Sequence, residues 1–288
     1  MTVAVLTDSA AALPPELAAE RGIAIVPMLL TIGDETHRDG ELSISEVGGR
    51  LGEGVGTSAP RPGEFVEALE ALPPDVDAAV VLTIASSMSA GFNAARVAAS
   101  LFDRPVEVVD TRTAAGAQGL VALAAARAAA AGARLDEVVA VARAAATSVR
   151  LVATIGSLDQ LIRSGRVPGL AGWAAGMLNV NPLFEFRAGE VHRLRPARSR
   201  ERAIDRMLEL WRSSEHGPTH HLHVAALHAG QEDQAARLLG AVVTEVEPVT
   251  AFVAPFSPVM VAHVGDDLIG LAWWWEPVDQ AGADAVVA

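Results

Sequence analysis

Three short apolar runs in the first 111 residues, "VAVLTDS" from Val3, "AAVVLTI" from Ala78 and "PVEVVDT" from Pro105, constrain the fold most strongly. Each is continuous and rich in β-branched residues, the pattern of a strand buried on both faces. Each leads into hydroxyl-bearing residues and then into a helical pattern. After the first, "LPPELAAERG" has prolines at its start and Gly22 past its end. After the second, Ser89 is the expected N-cap, with Phe92, Ala95, Arg96 and Ala99 at helical spacing. After the third, an Ala-rich helix is expected from about Ala114 to Ala131. This alternation predicts a mainly parallel sheet covered by helices. In an open α/β sheet the turns after the strands line the ligand crevice, and the N–H groups of the following helices favour an anion there.

The remaining pattern extends this α/β reading. "IAIVPMLLTI" reads as one further strand region, "GDETHRDGELS" as a polar turn, and "SISEVGGRLGEG" as room for a short helix. Thr57 and Ser58 fall in a loop before a helix that starts at Pro62 or Gly63, and "LDEVVAVARAAATSV" is a second helix after the Ala-rich one. Beyond Arg150 the texture changes to apolar stretches broken by glycine, which divides the chain into an α/β domain over 1–150, a second α/β domain over 151–277 and a disordered tail over 278–288. In the second part "FEFRAGEVHRLRPAR" predicts a hairpin turning at Ala188 and Gly189, and "SRERAIDRMLELWRSS" a helix. The strand candidates there are "HLHVAALHA", "VTEVEPVTAFVA", "VMVAHVG" and "LIGLAWWW".

Composition narrows the chemistry. The 288 residues carry a formal charge of −13, which argues against nucleic acid or an anionic membrane as a general partner. There is no Cys, Tyr or Lys; all 22 basic side chains are Arg. Thiol nucleophiles, disulfides, Schiff-base lysines, tyrosine acids and the P-loop lysine are thereby removed together. No apolar stretch approaches the roughly 20 residues that span a bilayer, and the N-terminus lacks a basic region and cleavage site, so a soluble, cytoplasmic protein without transmembrane segment is expected.

Hydroxyls collect where the predicted strands end: Thr7 with Ser9, Ser86 and Ser87 with Ser89, and Thr111 with Thr113, joined by Thr57 and Ser58. In a parallel sheet these turns meet at one edge. One reading is that they only cap helices; the other is that they hold an anionic ligand. Two further chemistries compete. Ser89 and His263 would suit a serine nucleophile and its base, although no G-x-S-x-G elbow occurs and the acidic partner is unassigned. His221 and His223 share a strand face, with His228 further along, but a solvated strand end explains them better than zinc. "ETHRDGELSISE" fails as a calcium loop at His37 and Arg38, and "GGRLGEGVG" lacks the lysine of a nucleotide loop.

Seven pieces, in order over almost the whole chain, carry a resemblance: "TDSAAALPPEL", "GTSAPRPGEF", "ASSMSAGFNAA", "VVDTRTAAGAQG", "LIRSGRV", "NPLFEFRAGEV" and "VMVAHVG". Together they resemble the DegV family, fatty-acid-binding proteins that serve bacterial fatty acid kinases. The resemblance implies two α/β domains with the lipid between them, no catalytic residue, no cofactor and no metal. It implies that Thr57, Ser58 and Ser89 hold the fatty acid carboxylate with His263 beside it, and that Arg166 lies near the mouth, where a separate kinase would act; Ser86, Ser87, Ala90 and Gly91, in the turn that carries Ser89, are expected to line the ligand site with it. For the tail, "LAGWAAGMLNVNPLF" offers large walls at Leu170, Trp173, Met177, Leu178 and Phe184, with room left at Ala174, Ala175 and Gly176. The chain departs from the family pattern at Ser89-Ala90-Gly91, where Ser-Gly-Thr is usual, at Asn181-Pro182, where Lys-Pro is usual, and at Val264-Gly265-Asp266-Asp267, where Gly-Pro-Gly follows the histidine. A lipid sensor or store that works without a kinase fits the same residues.

Overall fold

The computed structural model describes residues 1–167, 180–214 and 217–278. Its first sheet is parallel, in the order β2-β1-β6-β7, from β1 (Val3–Asp8), β2 (Ile23–Val26), β6 (Ala78–Thr83) and β7 (Val106–Asp110). All six residues of β6 are buried, because successive side chains enter two different cores. Ala79 and Val81 pack with Phe65 and Leu69 of α3 (Pro62–Glu70) and Ala95 and Ala98 of α4 (Gly91–Leu101). Val80 and Leu82 face the opposite way, into a core built around α5 (Ala115–Ala130).

The second large sheet is mixed, six-stranded and ordered β10-β9-β8-β13-β11-β12. Its strands are β8 (Arg150–Ile155), β9 (Leu183–Arg187), β10 (Glu190–Arg193), β11 (His220–His228), β12 (Thr250–Pro255) and β13 (Leu268–Pro277). One face is covered by α8 (Arg200–Arg212) and α9 (Glu232–Glu245) through Met207, Trp211, Leu238 and Val242. The other face meets α5, which therefore touches both sheets. This explains a helix apolar all round, buried at every position from Ala115 to Ala126. Its small residues permit the close approach: a Cβ on Gly116 would lie 2.8 Å from Leu227, and one on Gly119 2.8 Å from the Ala11 carbonyl. Beside it α6 (Leu135–Ser148) contacts β6, β7 and β13.

Several elements differ from the sequence reading. "IAIVPMLLTI" is two strands in two sheets, split where Pro27 has no N–H to give the ladder. Its second half is β3 (Leu29–Ile32), which pairs antiparallel with β4 (Glu35–Arg38) and β5 (Val55–Ser58). The expected polar turn thus contains a strand, and Thr57 and Ser58 end a strand instead of lying in a loop. "VMVAHVG" is a helix, α10 (Pro258–Val264), not a strand; Ser257 accepts from the Met260 N–H and Pro258 supplies a favoured first residue, signals that outweigh its β-branched composition. Val243 to Glu245 complete α9, so "VTEVEPVTAFVA" is a strand only in its last part. Ser89 does not occupy the N-cap of α4; Ala90 does, and Ser89 Oγ accepts from the Gly91 N–H at 3.2 Å. His223 is no solvated strand end. It is 2 % exposed, hydrogen-bonded to Thr250 and Glu276 and stacked on Trp274. The hairpin of β9 and β10 does turn at Ala188 and Gly189, both at positive φ.

Candidate functional site

The site is a cavity of about 300 Å³ assembled from five places in the chain. Thr57, Ser58 and Ala59 come from the end of β5. Ile84, Met88, Ser89 and Ala90 come from the turn between β6 and α4. Leu161 lies on α7 (Asp159–Ser164), with Arg166 just after it, and α10 supplies Val259, Met260, His263 and Val264. Met28, before β3, completes the lining. The convergence follows from α10 packing against β5, β3, α7 and α2 (Ile44–Arg50) at once.

The polar groups are few. Thr57 Oγ1 and His263 Nε2 are 2.7 Å apart. Burial, reinforced by the positive charge of Arg166, pushes the His263 imidazole down to about 4, so the ring is neutral near pH 7. Ser89 Oγ accepts from Gly91, and its own hydrogen has no acceptor among the described residues. The N-cap of α4, Ala90, has no side chain to accept from the helix's first N–H groups; Ser89 Oγ takes that of Gly91, and Ala90 sets the positive end of the 11-residue helix against the cavity. Neutral hydroxyls, a neutral imidazole and a helix N-terminus at one end of an apolar space suit a carboxylate whose remainder is hydrocarbon.

Of the other hydroxyls, that of Thr113 is buried without a partner and away from the cavity, and the rest are engaged elsewhere. Thr7 Oγ1 donates to the Leu82 carbonyl at 2.8 Å, Thr111 Oγ1 to that of Thr83 at 2.7 Å, and Ser9 Oγ to Asp39 at 2.6 Å. Ser86 donates to Asp110 and Ser87 to the Gly189 carbonyl. The expectation that Ser86 and Ser87 line this site is therefore corrected: both hydroxyls close on protein acceptors. Ser87 instead borders a second cavity, of about 380 Å³, together with Phe186 and Val191. Met88 and Arg166 line both cavities, which places the exposed Arg166 at their junction. Gly91 is buried behind Ser89 and does not line the cavity. Phe184 is core, 7 % exposed on the face of β9 turned to α5. Leu170, Trp173, Met177 and Leu178 lie outside the described residues, as does 279–288 of the expected tail.

His263 is bonded to Thr57, not to Ser89, and no carboxylate among the described residues bonds to its ring, so the nucleophile and base of a hydrolase are not assembled. Residues that the sequence pattern did not single out include Met28, Met88, Leu161, Val259 and Met260 in the lining, and two acids beside it, half-buried Asp39 and buried Asp8. Asp39 accepts from Ser9 Oγ and from the Val259 N–H at 3.0 Å, tying the loop after β4 to the first turn of α10; burial raises its carboxyl. Asp8, fully buried, accepts from the N–H groups of Ala10 and Ile84 and from Gln118. The available signals were a carboxylate ending a β-branched strand and a lone Gln in an Ala-rich helix.

A family model described as an uncharacterised protein of the DegV family matches residues 2–276. A DegV domain-containing protein of Streptomyces coelicolor is 32% identical over 274 residues, covering 93% of this chain and 97% of that one. A fatty-acid-binding DegV family protein of Thermus thermophilus superposes with a TM-score of 0.87 at 27% identity, over 96% of this chain and 100% of that one. DegV of Bacillus subtilis, a fatty acid binding protein, does so with a TM-score of 0.85 at 26% identity, over 96% and 100%. Like them in sequence over nearly its full length and in fold, this chain belongs to the DegV family.

Proposed function

We propose that this protein binds a long-chain fatty acid between two α/β units, 1–150 and 151–277, and presents its carboxylate to a separate ATP-dependent fatty acid kinase, with no catalysis of its own. The observation that carries the reading is the cavity whose hydroxyls, Thr57, Ser58 and Ser89, stand with His263 beside Met28, Met88, Leu161 and Met260. Fatty acid binding by the T. thermophilus protein and by B. subtilis DegV supports it. In this reading Ser89 donates to the carboxylate, the N-terminus of α4 offsets its charge, and His263 donates from a tautomer held by Thr57. Each charge-assisted bond contributes about 1.5 to 3 kcal/mol. Burying some fifteen methylenes at roughly 0.8 kcal/mol each is worth on the order of 10 kcal/mol before association costs. The head thus sets position and the tail sets affinity. Arg166, exposed at the cavity junction, is the residue a kinase would meet.

Native mass spectrometry of gently purified protein tests the ligand. The expected result is an adduct in the fatty acid mass range that organic extraction removes; a clean unliganded mass in repeated preparations defeats the reading. Co-purification with an ATP-dependent kinase, and acyl phosphate formation only when both proteins are present, separates presentation to a kinase from sensing or storage.

A further inference from the structure

Asp8 ends β1 directly beneath the turn that carries Ser89. Its carboxyl is wholly shielded from water, and its hydrogen bonds come from neutral donors: the Ala10 N–H at 3.2 Å, the Ile84 N–H at 2.9 Å and Gln118 Nε2 at 2.9 Å. Among the described residues it has no ion pair. A Cβ on Gly91 would lie 3.4 Å from Ser89 Oγ and 3.8 Å from Asp8 Oδ2, so these two oxygens are no further apart than the sum of those distances. A ligand carboxylate bonded to Ser89 therefore stands within about 10 Å of Asp8, on the order of one Debye length, with protein and not bulk water between them.

We infer that Asp8 is the proton acceptor of the ligand site: seating an ionised fatty acid carboxylate on Ser89 draws a proton from solvent onto the Asp8 carboxylate. The inference rests on the carboxylate-binding reading above. A second negative charge across so little water raises a carboxyl that is already poorly solvated. Asp8 is prepared to yield, since burial, with Asp39 nearby, has already pushed it up to about 6. Its surroundings also accept the protonated form. Gln118 Oε1 is buried without a partner, while Nε2 serves both Asp8 and Thr7 Oγ1. Turning the amide over presents Oε1 to a protonated Asp8, and the Thr7 hydroxyl, donor and acceptor both, can follow it. The groups facing Asp8 are apolar Val26 from β2, neutral Ile84, Ser89 and Gly91 from the turn before α4, Gln118 from α5, and Asp39 from the loop after β4. Arg166 and His263 are the titratable residues of the cavity lining itself.

Titration calorimetry with laurate below its aggregation concentration, between pH 6 and 8 and in buffers of different ionisation enthalpy, reads the protons taken up. Wild type should take up a proton fraction that is largest near pH 7, and its affinity should fall about tenfold from pH 6 to pH 8. Asp8→Asn should bind with no such uptake and a flat pH profile, whereas His263→Gln should retain the uptake. Binding by wild type without uptake, or uptake that survives in Asp8→Asn and vanishes in His263→Gln, overturns this inference and leaves the proposed function standing. Failure of wild type to bind laurate at any of these pH values overturns both. Should Asp8→Asn not fold, infrared difference spectra of wild type carrying ¹³C-carboxyl Asp give the same answer. A new protonated Asp carboxyl on laurate addition supports the inference, and its absence overturns it.

Discussion

The hydroxyls that end β1, β6 and β7 and those that line the cavity are the same groups in similar apolar-to-polar junctions, yet the structure divides them. Thr7, Ser86, Ser87 and Thr111 donate to acceptors inside the protein. Ser89, Ser58 and Thr57 reach the cavity, and Ser89 retains a hydrogen with no acceptor among the described residues. In the proposed reading Ser89 is left for a ligand because no carbonyl or carboxylate among the described residues takes its hydrogen. The same division separates Asp8 and Asp39, which hold backbone N–H groups, from neutral His263, which lines the cavity.

The largest effect should come from the apolar wall. Met260→Glu places a carboxylate beside the ligand's hydrocarbon and should weaken fatty acid binding by more than about a hundredfold, or roughly 3 kcal/mol. The exposed Val97→Glu, outside the cavity, should leave it unchanged. Equal losses would show that global stability, not the cavity, was being read.

Next comes the pH dependence of stability, where Asp8 and His263 should tilt in opposite directions. Asp8, raised from 3.8 to about 6, keeps a proton in the folded state that the unfolded chain releases, so its contribution is complete below pH 3.8 and lost as pH rises through 6. His263, lowered from 6.5 to about 4, contributes the reverse: the unfolded chain takes the proton first, and stability falls as pH drops from 6.5 through 4. Each amounts to about 3 kcal/mol, so in wild type the two slopes largely offset. Relative to wild type, urea unfolding at pH 4.5, 5.5 and 6.5 should show Asp8→Asn losing stability on acidification and His263→Gln gaining it. Slopes of one sign would break the comparison.

Ser89→Ala should weaken fatty acid binding by about 1 to 3 kcal/mol, whereas Ser86→Ala, whose hydroxyl belongs to Asp110, should change it by less than about threefold. Comparable losses in a calorimetric titration would erase the distinction between engaged and available hydroxyls. Among the residues of the cavity lining, Arg166→Ala should cost ligand affinity least, under tenfold, or about 1.4 kcal/mol. Its larger consequence is expected in phosphorylation by the kinase. A greater loss of affinity would move Arg166 from the junction into the head-group site.

Much of the architecture follows from local pattern. The apolar runs of β1, β6 and β7, the Ala-rich α5 and the Ala188–Gly189 turn are each specified within a few residues, because strand burial, helix propensity and positive φ are local demands. Resemblance to relatives added His263 and Arg166, which no local pattern marks. What only the tertiary structure decided is which polar groups are engaged. The Thr57–His263 bond spans 206 positions and the Asp8–Gln118 bond 110, and the helix that carries His263 reads as a strand from its Val-rich composition. A carboxylate at a strand end looks solvated in the sequence; closure of β6, α4 and α5 over Asp8 removes the water, and that desolvation, absent from any local pattern, makes it a group whose charge answers to its neighbours.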